Sequence, residues 1–352
     1  MNNQPLLSIA IPTFNRAEKL DSQLVSLHDF ISKSQFSKNI ELLVVDNCST
    51  DSSQKVIKAF HSIDRDYIFS SHQNLTNLGA ERNFGQGILR SKGRFTWLLS
   101  DDDIVHEGAI DHIFSSLSEN MEAGFCFVNY VEQGGNAAIT IGDQVILVKN
   151  LHEYISETMF AESMITACIY RKSLLSEETL TTMREGPFQY MYWVADIVQN
   201  HFALVIPAPL FTIVQPSVKE TRDNASKREN TTDFYLEAHL DYLKYASYVS
   251  SRNLGFLLRL KIHRLMIDEN LNQVIFHKTT TDNLGYNLSS LKLALPKMIR
   301  AFYFSPSFWL LHIPLLLLPS FFAKLFAPLR WKILKFRAFG GISIRKLYNF
   351  LR

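Results

Sequence analysis

Residues 95–103 read Phe95-Thr96-Trp97-Leu98-Leu99-Ser100-Asp101-Asp102-Asp103. A run of apolar and β-favouring residues stops at three consecutive carboxylates, as a buried strand does when it ends at the rim of a sheet. The chain before it repeats the same unit. Residues 6–11 are an apolar run closed by Pro12, and residues 17–31 carry Leu20, Leu24, Leu27 and Ile31 at helical spacing. Residues 40–45 form a second apolar run, closed by Asp46-Asn47, and Thr50 or Asp51 can cap a helix over 52–61. Residues 67–70 read as a third strand and 79–90 as a third helix, with Lys92-Gly93 as its stop. Strand–helix units in such succession predict an α/β fold, a mostly parallel sheet flanked by helices. Ligands of such sheets bind beyond the carboxyl ends of the strands, so 12–16, 46–51 and 100–103 are expected to converge.

Beyond residue 120 the pattern loosens. After a helix near 108–117, which still belongs to the first part, strands are expected near 124–131, 145–148, 204–205 and 210–214, and helices near 151–160, 173–183 and 188–201. Residues 217–233 are polar and predict an exposed loop or lid, and from 234 on the chain reads as helical. The expected division is 1–120, 121–216, a helical extension over 217–291, and a basic, apolar tail over 292–352.

Composition narrows the class. A chain of 352 residues, 47% hydrophobic and 20% charged, is neither disordered nor a disulfide-stapled miniature. Cys48, Cys126 and Cys168 are odd in number and lack CxxC spacing, which argues against a zinc ribbon or a secreted disulfide framework. The first twenty residues lack the layout of a signal peptide, so a cytoplasmic location is expected. The net charge of +2 conceals an asymmetry: 292–352 hold eleven Lys or Arg and no acid, leaving 1–291 with 25 basic against 34 acidic side chains, a net of −9. The tail is too apolar for a nucleic-acid arm. Its run over 308–322 is interrupted by Pro314 and Pro319 and is shorter than the ~20 residues of a span. With its flanking cations it predicts peripheral attachment to an anionic membrane surface. A hairpin packed on the catalytic domain or on a second copy of the chain, a homo-oligomer, is the other reading.

Three adjacent carboxylates repel one another unless a cation or ligand donors share them. Mg²⁺ or Mn²⁺, completed by substrate phosphates, suits Asp101–Asp103. A cap on the helix that follows is the plainer reading. Asp46 can accept from a base or ribose, or cap the next helix. Arg82, early on its helix, can pair with a diphosphate or stay solvated. His28, His72, His106 and His112 lack paired metal-ligand spacing and read as structural or surface residues.

Together, Ser8–Arg16 (SIAIPTFNR), Val44-Val45-Asp46-Asn47 with Ser49-Thr50-Asp51, Asn77-Leu78-Gly79 with Arg82-Asn83-Phe84-Gly85, and Leu99–Asp103 resemble glycosyltransferase family 2. The resemblance is close over 5–120 and loose over 120–215, and is nearest to bacterial abequosyltransferase-type enzymes. It implies a GT-A fold, a nucleotide-sugar donor (UDP-, CDP- or dTDP-linked), Mg²⁺ or Mn²⁺, and a lipid-linked glycan acceptor in O-antigen or capsule synthesis at the inner face of the membrane. Carried over, Pro12, Thr13 and Phe14 frame the nucleobase and Asp46 accepts from it. Arg16 and Arg82 belong to the donor site, and Arg82 approaches the diphosphate. The D-x-D position falls on Ser100-Asp101-Asp102, with Ser100 where a ribose-binding Asp is usual, Asp101 in the donor site, and Asp102 with Asp103 holding the metal. The catalytic base of the family is the Asp of a Glu-Asp pair where this chain has Phe188-Gln189, so Glu185 or Asp196 is the expected substitute. A nucleotide-sugar-binding scaffold with weak catalysis is the alternative. A dinucleotide oxidoreductase is disfavoured, because no G-x-G-x-x-G follows the first strand.

Overall fold

The fold grows from strand β1 (Leu7–Thr13), whose side chains are buried along nearly its whole length. In the computed structural model, which describes residues 4–132, 135–182, 188–214, 234–252, 254–265, 295–296, 298–299 and 308–317, β1 is central to a nine-stranded sheet. It pairs in parallel with β2 (Ile40–Asp46) on one side and β4 (Phe95–Leu98) on the other, and β2 pairs in parallel with β3 (Ile68–Gln73). Every residue of β2 and β4 is buried, as expected where helices cover both faces of a parallel sheet. Helices α1 (Ala17–Lys33), α2 (Ser53–His61) and α3 (Ala80–Arg90) are the crossovers. The register Thr13↔Asp46 brings the ends of β1 and β2 level, and Leu99 N–H bonds Ala10 O just past β4.

The other half of the sheet is mixed. After β5 (Ile104–Val105) and α4 (Ala109–Glu119) come β6 (Phe125–Glu132), β7 (Ile146–Val148), α5 (Leu151–Thr158) and β8 (Cys168–Arg171). The chain continues through α6 (Glu177–Thr181), α7 (Gln189–Asn200) and β9 (Ala203–Ile213). The strand order is β3-β2-β1-β4-β8-β6-β9-β5, with β7 also on β9. Strand β8, antiparallel to both β4 and β6, has no counterpart in the sequence reading, because four residues are too few to show a period. The two short strands expected near 204–214 are one strand across Pro207 and Pro209. Its partner β6 shifts register between Val128 and Tyr130. Within that shift Asn129 Nδ2 donates to Pro207 O at 2.6 Å and to Ile139 O at 2.9 Å, satisfying carbonyls the ladder leaves open. The helix expected over 173–183 is a 3₁₀ turn (Lys172–Leu174) followed by the short α6, because Ser176 starts a new helix by accepting from Thr179 N–H at 3.1 Å.

The chain divides into two compact units, Met1–Asn224 with Tyr248–Leu258, and Ala225–Ser247 with Arg259–Arg352. The sheet lies in the first. The described residues toward the C-terminus are helical: Phe234–Ser250, Phe256–Leu265, a π-helical turn Phe308–His312 and the helix Ile313–Leu317. Among described residues no helix is long and apolar enough to cross a membrane. The loop expected over 217–233 and most of the basic tail lie outside the described residues.

Candidate functional site

The segments following β1, β2 and β4 meet, as the strand order requires. Asn15 adopts a left-handed backbone (φ 53°), which suits Asn. Its N–H donates to Ser49 Oγ at 2.8 Å and its Oδ1 accepts Thr50 N–H at 2.7 Å. Asp51 accepts Ala17 N–H at 2.9 Å, tying the head of α1 to the loop after β2. Arg16 and Lys19 are thereby set over the end of β4.

Asp101 is nearly inaccessible. Thr13 Oγ1 donates to its Oδ2 at 2.7 Å, and Arg16 Nη1 lies 2.7 Å from its Oδ1. Burial pushes its carboxyl up to about 6 against the pull of Arg16 and Thr13. Asp102, more open, accepts from Arg16 Nη2 and from Ser100 Oγ (2.6 Å), with Lys19 Nζ at 3.3 Å. Burial opposes its ionisation too, but Arg16, the Ser100 hydroxyl and Lys19 outweigh burial and hold it below the usual carboxylate range. Ser100 thus orients Asp102. Asp103 is committed to the fold: Thr166 Oγ1 donates to Oδ2 at 2.5 Å and Val214 N–H to Oδ1 at 3.2 Å. Gln23, buried on α1, donates to the carbonyls of Ser100 (3.2 Å) and Asp103 (3.0 Å) and holds the acidic loop closed.

Asp46, fully buried, accepts Ser49 N–H at 3.0 Å on Oδ1 and the Gln54 side-chain amide on Oδ2. A base could reach this carboxylate only if Gln54 gave way. Next to it an asparagine network fixes the head of α3. Asn47 Oδ1 accepts from Leu78 N–H (2.9 Å) and Asn74 Nδ2 (3.0 Å), and Asn74 also donates to Asn83 Oδ1 (2.8 Å). Asn83 in turn donates to Val45 O at 3.1 Å. Gly79 takes φ 85° at the N-cap, a conformation open to glycine, and Gly85 lets α3 approach α6, where a Cβ would stand 2.5 Å from Leu180 O. Arg82 is exposed on the first turn of α3, and Phe14 is 38% exposed at the rim. Lys19, Gln23, Gln54, Thr166 and the Asn47–Asn74–Asn83 network escaped the sequence reading. The density of Asn around 74–83 and the i, i+3 spacing of Arg16 and Lys19 were the available signals.

The two base candidates part company. Glu185 lies outside the described residues. Asp196 lies two turns into α7, ~10 Å along the axis from Gln189. It accepts from Tyr248 and pairs with Arg252 Nη2 at 2.7 Å, so its carboxylate braces α7 against residues 248–252. His106 bridges Pro209 O and Thr212 Oγ1 and is structural.

Among described residues no group of three or more His, Cys, Asp or Glu is arranged to hold a metal ion. Asp102 is ionised, partly open and a hard oxygen donor, and Asp101 adjoins it. This donor set fits Mg²⁺ or Mn²⁺ completed by substrate phosphates and does not fit a cation held by protein alone.

The family model described as glycosyl transferase family 2 matches residues 8–182, from β1 through α6, and so includes every residue expected from the sequence in a donor site. The chain belongs to glycosyltransferase family 2. Its relatives include the abequosyltransferase RfbV of Salmonella typhimurium, 27% identical over 121 residues, 34% of this chain and 35% of that protein. Another is the GalNAc(5)-diNAcBac-PP-undecaprenol beta-1,3-glucosyltransferase of Campylobacter jejuni, 29% identical over 135 residues, 38% and 40% of the two chains. The matches therefore span well under half of these relatives. The solved structure of TarS 1-349 of S. aureus in complex with UDP-GlcNAc aligns with a TM-score of 0.56 at 16% identity, covering 84% of this chain and 79% of TarS 1-349. At that identity the likeness shows the GT-A fold.

Proposed function

We propose that this family 2 chain is a metal-dependent glycosyltransferase. It moves a sugar from a nucleotide-sugar donor to a lipid-linked glycan acceptor in the synthesis of a bacterial surface polysaccharide such as O-antigen or capsule. The observation that carries this reading is the meeting of Thr13, Arg16, Asp46, Asp101 and Asp102 at one rim of the sheet. Pro12 and Phe14 would flank the nucleobase, and Asp46 would accept its N–H once Gln54 yields. Arg82 and the head of α3 would face the diphosphate. Asp102 would hold Mg²⁺ or Mn²⁺, with Asp101 beside it and Asp103 bracing the loop from behind. The metal, when bound, would supply positive charge to the departing nucleoside diphosphate. Glu185 would take the proton of the acceptor hydroxyl. The UDP-GlcNAc bound by TarS and the undecaprenol-linked acceptor in the name of the Campylobacter relative support donor and acceptor of these classes.

The tail from residue 292 would hold the chain on the anionic inner face of the membrane. The exposure of Trp309 (44%), Leu310 (81%) and Leu317 (58%) supports an apolar docking face there. The deciding measurement is release of nucleoside diphosphate from UDP-, CDP- and dTDP-linked sugars with a lipid-linked acceptor, with and without EDTA. EDTA-sensitive release from one donor is expected. Donor binding without release under any condition would favour the scaffold reading, to which the absence of a base at Phe188-Gln189 lends its support.

A further inference from the structure

We propose that Arg16 is a switching side chain. In the free protein it closes the Asp101–Asp102 pair; when a nucleotide arrives it leaves for the diphosphate, so metal binding at Asp102 waits for the nucleotide. The inference rests on the nucleotide-sugar reading of this site. Arg16 lies at ion-pair distance from both Asp101 and Asp102, and Lys19 from Asp102 as well, so cations already stand at these carboxylates before any ligand arrives. Arg16 spans both acids, one guanidinium nitrogen to each, a planar two-point grip that an ammonium cannot reproduce. A divalent ion approaching Asp102 alone would meet two cations already at ion-pair distance, and like-charge repulsion at a partly buried site is strong.

A nucleoside diphosphate changes that balance. It brings several negative charges and phosphate oxygens that suit both Arg and Lys. Arg16 is built to respond. Its backbone is anchored by the Asn15–Ser49–Thr50 bonds and by Ala17 N–H on Asp51, while its side chain is 35% exposed at the rim, on the side from which a ligand would arrive. Released from Arg16, Asp102 keeps the Ser100 hydroxyl on Oδ1 and the longer contact to Lys19 on Oδ2, and can turn its remaining lone pairs to a cation. Metal and nucleotide then favour each other by the same factor, and part of that coupling is carried by Arg16.

The test uses the full chain and follows Mn²⁺ by the electron paramagnetic resonance of the free ion, with calorimetry for nucleotides. UDP, CDP, dTDP and GDP are tried in turn, and protein-free controls remove direct chelation. The wild type should bind Mn²⁺ weakly alone and more tightly once a nucleotide is present. Arg16→Gln should bind Mn²⁺ alone about tenfold tighter than wild type, bind the metal-free nucleotide more weakly, and lose most of the coupling. Arg16→Lys, which keeps charge but not the two-point grip, should fall between them and guards against a folding defect. Adding Asp102→Asn to Arg16→Gln should abolish the gained Mn²⁺ affinity. Unchanged or weaker Mn²⁺ binding in a folded Arg16→Gln overturns the switch, as does survival of the gain without Asp102. If the wild type binds none of the nucleotides with Mn²⁺ present, the nucleotide-sugar reading itself falls, whatever the variants do.

Discussion

Two carboxylate sites lie in the parallel half of the sheet, one inside it and one at its rim. Glu41, early in β2, is fully buried and closed: Ser8 Oγ donates at 2.5 Å, Ser70 Oγ at 2.5 Å and Lys92 N–H at 2.7 Å. Asp101 and Asp102, just past the end of β4, also accept from hydroxyls, those of Thr13 and Ser100, but add the close cationic side chains of Arg16 and Lys19, whereas the Lys92 ammonium stands 3.8 Å from Glu41. Short hydroxyls and a backbone N–H cannot leave, so Glu41 is cement between β1, β2 and β3. Long cationic side chains can leave, and a ligand of opposite charge can call them away. Both sites bury acid; the mobility of what compensates it separates structure from function.

Experiments can break or sharpen that contrast. The largest effect is expected at the base: Glu185→Gln should lower turnover by roughly 10²–10⁴ with donor affinity nearly intact, while Asp196→Asn, braced by Arg252, should leave turnover close to wild type. The reverse pattern would transfer the role to Asp196. Asp102→Ala should cost ~10²–10³ in metal-dependent turnover, since it removes charge placed where the reaction needs it, while thermal stability changes little. Full activity in that variant would erase the distinction drawn here.

Glu41→Ala is the mirror experiment. It strands two hydroxyls and an N–H and should lower unfolding free energy by about 3 kcal/mol in denaturant titrations, with the turnover of the folded fraction unchanged. Asp46→Ala should weaken the nucleoside diphosphate by on the order of 1–3 kcal/mol if the base N–H is left unpaired; equal calorimetric affinity would make Asp46 a loop-and-helix cap alone. Asp51 gives the smallest effect. Burial opposes its ionisation, but the Ser53 hydroxyl and the N–H groups of Ala17 and Ser53 outweigh burial and lower its pKa. Its contribution is therefore present above the unfolded value of 3.8 and lost as pH falls through the lower folded value. Asp51→Asn should flatten the acid limb of a pH–stability profile slightly and leave neutral pH almost untouched.

Strand β1, strand β2, the three crossover helices and the meeting of residues 12–16, 46–51 and 100–103 were all legible in the sequence. Each rests on a local signal, an apolar run or a 3.6-residue period, joined to the rule that parallel sheets bind ligands at their carboxyl ends. The motif order carried the family, and with it the expected donor site. Tertiary structure alone decided the insertion of β8 between β4 and β6, and the fusion of two short runs into β9. It alone decided which neighbour each of three adjacent aspartates would face: Asp101 and Asp102 toward Arg16, Asp103 toward Thr166 and Val214. The physical reason is the same in each case. Partners arrive from far along the chain: a turn at 101–102 presents two neighbouring carboxylates to Arg16, while Asp103 leaves that turn toward Thr166, 63 residues away, and Val214, 111 residues away.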